Sequence, residues 1–354
     1  MRILPNITSL RFFLATLVMI FHIPQFFENR GLPAFSGLPV FNKGTEAVYM
    51  FFSLSGFLII RQLFEEKTLS GRIDLKKFYT RRILRIFPVY YLVAIIGLVY
   101  YTVFLPKMGY DFKSDYNLLE GMLLLFTFFP NVFASFNPGG ILEILWSIGV
   151  EEQFYLLVAP LILLVPQKQI RIFLLLFSFL FICLYHIPVL HFLSDYRMLF
   201  FYFSFAGWCS LLKIRISKRY GFISIVSFVL LLIYFTTDFF INNMSEMQYH
   251  IFSMILFGLF LIFFIQKPIR FFESKTLIYL GKISYGIYMY HAIVMQLVGF
   301  VFLKLVAKYN LSDSIVIILS FLTVILITIL VSHISYKYYE KKFLSLKNKY
   351  RTTS

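Results

Sequence analysis

Long apolar runs separated by short polar connectors fill this chain almost from end to end. A bilayer core about 30 Å thick needs roughly 20 apolar residues per helix. Runs of that order fall near residues 9–27, 45–64, 84–105, 117–134, 142–165, 171–190, 197–212, 220–241, 250–266, 277–303 and 314–336. The pattern predicts an all-α fold, a polytopic transmembrane helical bundle. One run is weaker than the rest: Glu120, Pro130 and Asn131 interrupt 117–134, and Asn137-Pro138-Gly139-Gly140 follows it. That segment is read as re-entrant or interfacial, a form of backbone that must be sheltered by protein or line a cavity. About ten spanning helices remain.

Charge orients the bundle. Between Arg61 and Arg85 lie Lys67, Arg72, Lys76, Lys77, Arg81 and Arg82, against only Glu65, Glu66 and Asp74. By the positive-inside tendency this loop is cytoplasmic, and the two crossings before it put the N-terminus inside as well. The later basic connectors are Lys168 with Arg171, then Lys213, Arg215, Lys218 and Arg219, then Lys267, Arg270 and Lys275, then the Lys-rich end from Lys337. All fall inside only if one run between residues 105 and 166 does not cross. The expectation is therefore an integral protein of a bacterial-type cytoplasmic (inner) membrane with both termini cytoplasmic. Residues 1–345 form a single transmembrane domain, and 346–354 a short basic cytoplasmic tail.

Composition agrees: 60% of the residues are hydrophobic and 14% charged, which excludes an ordinary water-soluble domain. The net charge of +16 sits in the connectors, so it reads as topology, with room for a polyanionic cosubstrate at the same face, and not as a nucleic-acid surface. Cys183 and Cys209 lie in separate apolar runs without metal-ligand spacing, and no metal site is expected. Met1 to Phe27 carries no small-x-small cleavage site and is kept as the first helix.

The candidate chemistry is in the polar residues that interrupt the spans. Arg11 precedes the first apolar stretch and His22 closes it eleven residues later. At 100° per residue both return to nearly the same helix face, about 16 Å apart along the axis. Two readings are open for the pair: a basic anchor with an interfacial histidine, or two ends of a working cavity. In the second helix, Phe51-Phe52-Ser53-Leu54-Ser55-Gly56-Phe57 offers small residues for close packing, and Glu46 either faces the cavity of His22 or is solvated. Arg81, Arg82 and Arg85 gather before Pro88, as lipid-headgroup anchors or as a phosphate clamp. Trp146 to Tyr155 places Glu151, Glu152 and Gln153 inside an apolar span, where unpaired carboxylates are costly. Adjacent carboxylates point about 100° apart, so one lines a cavity or orients a histidine while the other pairs with an arginine. Late in the chain, Ser284-Tyr285-Gly286-Ile287-Tyr288 is followed by His291.

These blocks, in this order, resemble the acyltransferase-3 family of membrane-bound acyltransferases. The matches are Arg11 with His22, Phe51 to Phe57, Arg82-Ile83-Leu84-Arg85-Ile86-Phe87-Pro88, Trp146 to Tyr155, and Ser284 to Tyr288 with His291. One departure is Tyr49, where many members carry an acidic residue before the Phe-Phe pair; Glu46 lies one turn away and could substitute. The SGNH-type soluble domain that some members append is not seen. A further transfer step outside would then call for a separate periplasmic or extracellular transferase protein.

The resemblance implies transfer of an acyl group, usually acetyl from acetyl-CoA, to a hydroxyl of a cell-surface carbohydrate or lipid-linked glycan. Acetyl-CoA is a cosubstrate, and no resident cofactor is expected. Under that implication Arg81, Arg82 and Arg85 hold the CoA phosphates. Arg11 either holds a phosphate or polarises the thioester carbonyl. His22 is the general base, with Glu151 or Glu152 orienting it, or forms a covalent acyl intermediate. Ser55, Ser147, Gln153, Tyr155, Ser284, Tyr285, Tyr288 and His291 line the substrate cavity. The rival class is a transporter or flippase using the same charged cavity to bind without reacting.

Overall fold

The computed structural model describes residues 4–110, 115–212, 218–309 and 311–350. Among them there are helices and no strands, as a chain surrounded by lipid requires when its backbone groups must be satisfied within each segment. The fold is the helical bundle that the pattern predicts.

Among the described residues eight helices, against the ten or so expected, are long and apolar enough to cross a membrane. They are α1 (Ile7–Glu28), α2 (Gly44–Ser70), α3 (Leu75–Lys107), α6 (Gly140–Leu164), α7 (Gln167–Tyr185), α10 (Glu246–Phe264), α12 (Ser284–Tyr309) and the continuous run Asp313–Lys347. That last run is α13 (Asp313–Ser335), a π-helical turn (Tyr336–Glu340) and α14 (Lys341–Lys347). Between these lie α4 (Leu118–Phe126), the single turn α5 (Pro130–Phe133), α8 (Phe200–Ser210), α9 (Lys218–Thr236) and α11 (Lys275–Lys282).

Three expected runs come out differently. The run at 197–212 becomes the 11-residue α8, about 16 Å long and half of a bilayer core. It is tolerated because α2, α7 and α10 enclose it, with Phe200 to Phe203 all buried. The run at 220–241 keeps an apolar stretch over Gly221–Thr236, shorter than a full span. The run at 277–303 breaks at Ile283, where the Ser284 hydroxyl donates to the Gly281 carbonyl at 2.9 Å. Of the basic connectors, Lys213 and Arg215 lie outside the described residues.

The weak run at 117–134 does not cross. Phe128 adopts φ +64° between α4 and α5, and Pro130 withholds an N–H from any continuing helix. The irregular backbone is satisfied by α6: the Gln153 amide donates to the Phe128 carbonyl at 2.9 Å and to Asn131 Oδ1 at 2.7 Å. Asn131 in turn donates to the Tyr196 carbonyl at 3.0 Å.

Close helix packing depends on glycine where backbones meet. A Cβ on Gly56 would overlap the backbone of Phe203, so α2 and α8 approach only because that atom is absent. Gly139 opens α6 with φ +92°, and a Cβ there would fall on the Tyr101 ring. The Tyr101 hydroxyl then accepts from the Ile141 N–H at 3.1 Å, satisfying one of the unpaired donors at the helix start.

Candidate active site

Two cavities lie along α1, one toward each end of the bundle. The arginine cavity, about 100 Å³, is lined by Arg11 on α1, Ser55 on α2, Arg82 and Arg85 on α3, Ser147, Glu151 and Tyr155 on α6, and Ser284, Tyr285 and Tyr288 on α12. The histidine cavity, about 530 Å³, is lined among others by His22, Arg30, Glu143, Trp146, Arg197, Tyr288 and Gln296. Tyr288 and Val48 line both, so they form the wall where the two meet. The α1 spacing of Arg11 and His22 thus puts one residue in each cavity.

At the arginine end, Glu151 is the organising acceptor. It takes the Ser55 hydroxyl at 2.7 Å and the Tyr155 hydroxyl one turn along α6. Arg82 lies 5.7 Å over the Phe78 ring and 5.6 Å over Tyr155, and donates to Gln62 at 3.2 Å. Arg81 lies elsewhere: it pairs with Glu66 at 3.4 Å, both side chains nearly inaccessible, and donates to the Tyr350 carbonyl at 2.8 Å. Of the arginine triplet, two face the cavity and one is a buried structural partner. Among the described residues, Arg11, Arg82 and Arg85 make no salt bridge.

The adjacent Glu152 points away from both cavities, and its Oε1 is buried without a hydrogen-bond partner. Neither carboxylate hydrogen-bonds to His22, because Glu151 is committed to the arginine end. Gln153 lines neither cavity; its amide ties α6 to the irregular segment before it.

The wall is fixed from three sides. The Tyr288 hydroxyl donates to the Ile144 carbonyl at 2.9 Å, which leaves it to accept from Ser147 at 2.7 Å. The Tyr288 carbonyl accepts from His291 Nδ1 at 2.5 Å. That bond makes Nδ1 a protonated nitrogen, and His291 Nε2 is buried with no partner. The His291 ring stacks on His22, 5.4 Å between centroids. His291 itself does not line either cavity and sits behind His22.

Around His22 the fold assembles residues that no local motif announced. Arg197 has φ +52°, an uncommon conformation for a non-glycine residue. Its guanidinium lies 4.8 Å over the Trp146 ring. Arg30 stacks 3.6 Å over Phe26 and donates to Gln296 at 2.5 Å; burial lowers its pKa from the ordinary value. Gln296 also accepts from the Tyr100 hydroxyl at 3.0 Å. Arg197 and Glu143 were visible as charges within or beside apolar runs, but nothing in their spacing linked them to His22.

Glu46, one candidate for the same cavity, faces away. It is buried and accepts from the Tyr249 hydroxyl at 3.0 Å. Tyr49 stacks on Tyr202, 5.1 Å between centroids, and Tyr202 shares a 2.9 Å hydrogen bond with His250 Nδ1. Where many members of the suspected family carry a carboxylate, this chain has an aromatic cluster.

No solved structure matches the chain. Among curated proteins, it is 28% identical over 308 residues to a protein of Acidianus two-tailed virus provisionally named acetyltransferase ORF330, covering 84% of this chain and 85% of that protein. It is 27% identical over 367 residues to the O-acetyltransferase OatA of Staphylococcus aureus, covering 96% of this chain and 57% of OatA. It is 28% identical over 292 residues to the peptidoglycan O-acetyltransferase OatA of Listeria monocytogenes, covering 72% of this chain and 45% of that protein. The chain thus spans about half the length of the OatA proteins it matches. A family model described as an acyltransferase domain, of the acyltransferase-3 type, matches residues 4–336, nearly the whole chain. The bundle, with its arginine and histidine cavities meeting at Tyr288, therefore belongs to the acyltransferase-3 family of membrane acyltransferases.

Proposed function

We propose that this enzyme moves an acetyl group from acetyl-CoA, held at the arginine cavity, to a hydroxyl of a cell-surface carbohydrate or its lipid-linked precursor in the histidine cavity. The observation that carries the reading is the shared Tyr288 wall, with unpaired guanidinium groups on one side and His22 on the other. Arg82 and Arg85 present planar donors suited to phosphate, and Arg11 lines the same cavity from α1. The arginine end carries the basic α2–α3 loop, which argues for a cytoplasmic donor site and cytoplasmic termini in an inner membrane.

In the transfer step, His22 takes the proton of the acceptor hydroxyl as its oxygen attacks the thioester carbonyl. The tetrahedral intermediate collapses with cleavage of the C–S bond, and the CoA thiolate leaves and is protonated. His22 stacks on His291 and has no carboxylate partner to hold a proton on it, an environment suited to a base that starts unprotonated. The Tyr288 side chain must yield, or its hydroxyl must turn from Ile144 toward the carbonyl oxygen, for the thioester to reach His22. The Listeria monocytogenes relative, named a peptidoglycan O-acetyltransferase, favours a peptidoglycan-type acceptor. Membrane lipid surrounds the bundle, and a separate extracytoplasmic transferase completes any later step.

The test is purified protein in proteoliposomes with radiolabelled acetyl-CoA and a glycan acceptor. Label in the glycan supports transfer. Glycan crossing the bilayer without label would support the transporter reading instead.

A further inference from the structure

The end of the chain folds back onto α3, the helix that carries Arg82 and Arg85. Residues from 346 onward read in the sequence as a basic tail, yet α14 packs against α3 and the tail is held through Tyr350, whose carbonyl accepts from Arg81 at 2.8 Å. Residues 351–354 lie outside the described residues. This strap brings Lys347, half-buried, to the α3 side of the arginine cluster, within the electrostatic reach of Arg85, Arg82, Arg11 and Arg81.

Every one of those neighbours is positive. Arg81 is neutralised by Glu66, and Glu340, the carboxylate nearest this end of α13, accepts from the Ser335 hydroxyl at 3.0 Å. Glu151 is committed to Ser55 and Tyr155. Among the described residues Lys347 has no salt bridge, like Arg11, Arg82 and Arg85. With Glu151 the one carboxylate lining the cavity and no salt bridge formed, the four cations keep a net positive charge and repel one another. Their approach becomes favourable when a polyanion lies between them.

We infer that the C-terminal strap is part of the donor site, and that Lys347 closes over the phosphorylated nucleotide end of the donor as a further phosphate-binding residue. The inference rests on the acyl-CoA reading above and deepens it. The strap lies against α3 at the end of the arginine cavity, where the donor's phosphates meet Lys347 together with Arg82 and Arg85. The pantetheine arm, which carries no charge, then runs inward past Arg11 toward Tyr288.

The experiment measures binding of radiolabelled acetyl-CoA to the full chain in nanodiscs, for wild type, Lys347→Ala and Lys347→Arg, with competition by unlabelled pantetheine. Lys347→Ala should weaken acetyl-CoA about tenfold, the loss of one charge-assisted contact. Lys347→Arg should restore most of it, and the concentration of pantetheine needed to compete, corrected for acetyl-CoA affinity, should be the same in all three. Wild-type binding unchanged by Lys347→Ala overturns the strap inference alone, as does an equal loss for pantetheine, which marks a structural role. Failure of the wild type to bind acetyl-CoA overturns the donor reading, and the strap inference with it.

Discussion

His22 and His291 stack with 5.4 Å between ring centroids and 28° between planes, and His291 is locked to the Tyr288 carbonyl through Nδ1. The proposed base, its supporting ring and the residue of the cavity wall are thus one unit spanning α1 and α12. His291 acts on the reaction through His22, so His291→Phe, which keeps an aromatic face and loses the hydrogen bond, should reduce transfer about tenfold and displace the acidic limb of the pH profile. A purely structural role would lower the amount of folded protein and leave the profile of the remainder in place. Activity against pH on purified variants separates the two.

Arg81 and Arg85 should behave oppositely although they lie four residues apart. Arg81→Ala strands the buried Glu66 carboxylate and should cost about 3–5 kcal/mol of stability, read as a lower unfolding temperature. Arg85→Ala removes a cavity residue without a salt bridge. It should leave the unfolding temperature within a few degrees of wild type and raise KM for acetyl-CoA.

Gln153 should matter for folding and not for substrate. Its removal leaves the Phe128 carbonyl and the Asn131 side chain without their donor and partner, at a cost of about 1–3 kcal/mol. Gln153→Ala should therefore be less stable with unchanged acetyl-CoA affinity. A weaker donor affinity at unchanged stability would return Gln153 to the substrate cavity.

Gly56→Leu is expected to prevent assembly of α2 on α8, since even a Cβ overlaps the Phe203 backbone and α8 is too short to stand in lipid without that shelter. Loss of the monodisperse peak in detergent is the readout; Gly140→Ala, whose Cβ meets nothing within 4 Å, is the matched control.

These contrasts also mark what could be read along the chain. The helical bundle and the failure of 117–134 to span were legible because hydropathy, proline and charge are local signals, whereas the number of full spans was not, since 197–212 and 220–241 are apolar but form helices too short to cross. The opposite ends occupied by Arg11 and His22 followed from helical rise alone. The partition of Glu151 from His22 was not legible, because adjacent carboxylates fix an angle between them and not which helix each faces. Arg197 and Gln296 reach the histidine cavity only through tertiary packing, Arg197 by way of a turn held by Asn131. Lys347 looked like any other tail lysine, since a basic run carries no mark of folding back.

The most direct test of the central claim is acetyl transfer by His22→Ala, measured as label passing from radiolabelled acetyl-CoA to glycan with purified, reconstituted protein. Transfer should fall about 10²–10⁴-fold, the usual worth of a general base, with acetyl-CoA binding and unfolding temperature close to wild type. Near-normal label incorporation by His22→Ala would contradict the claim.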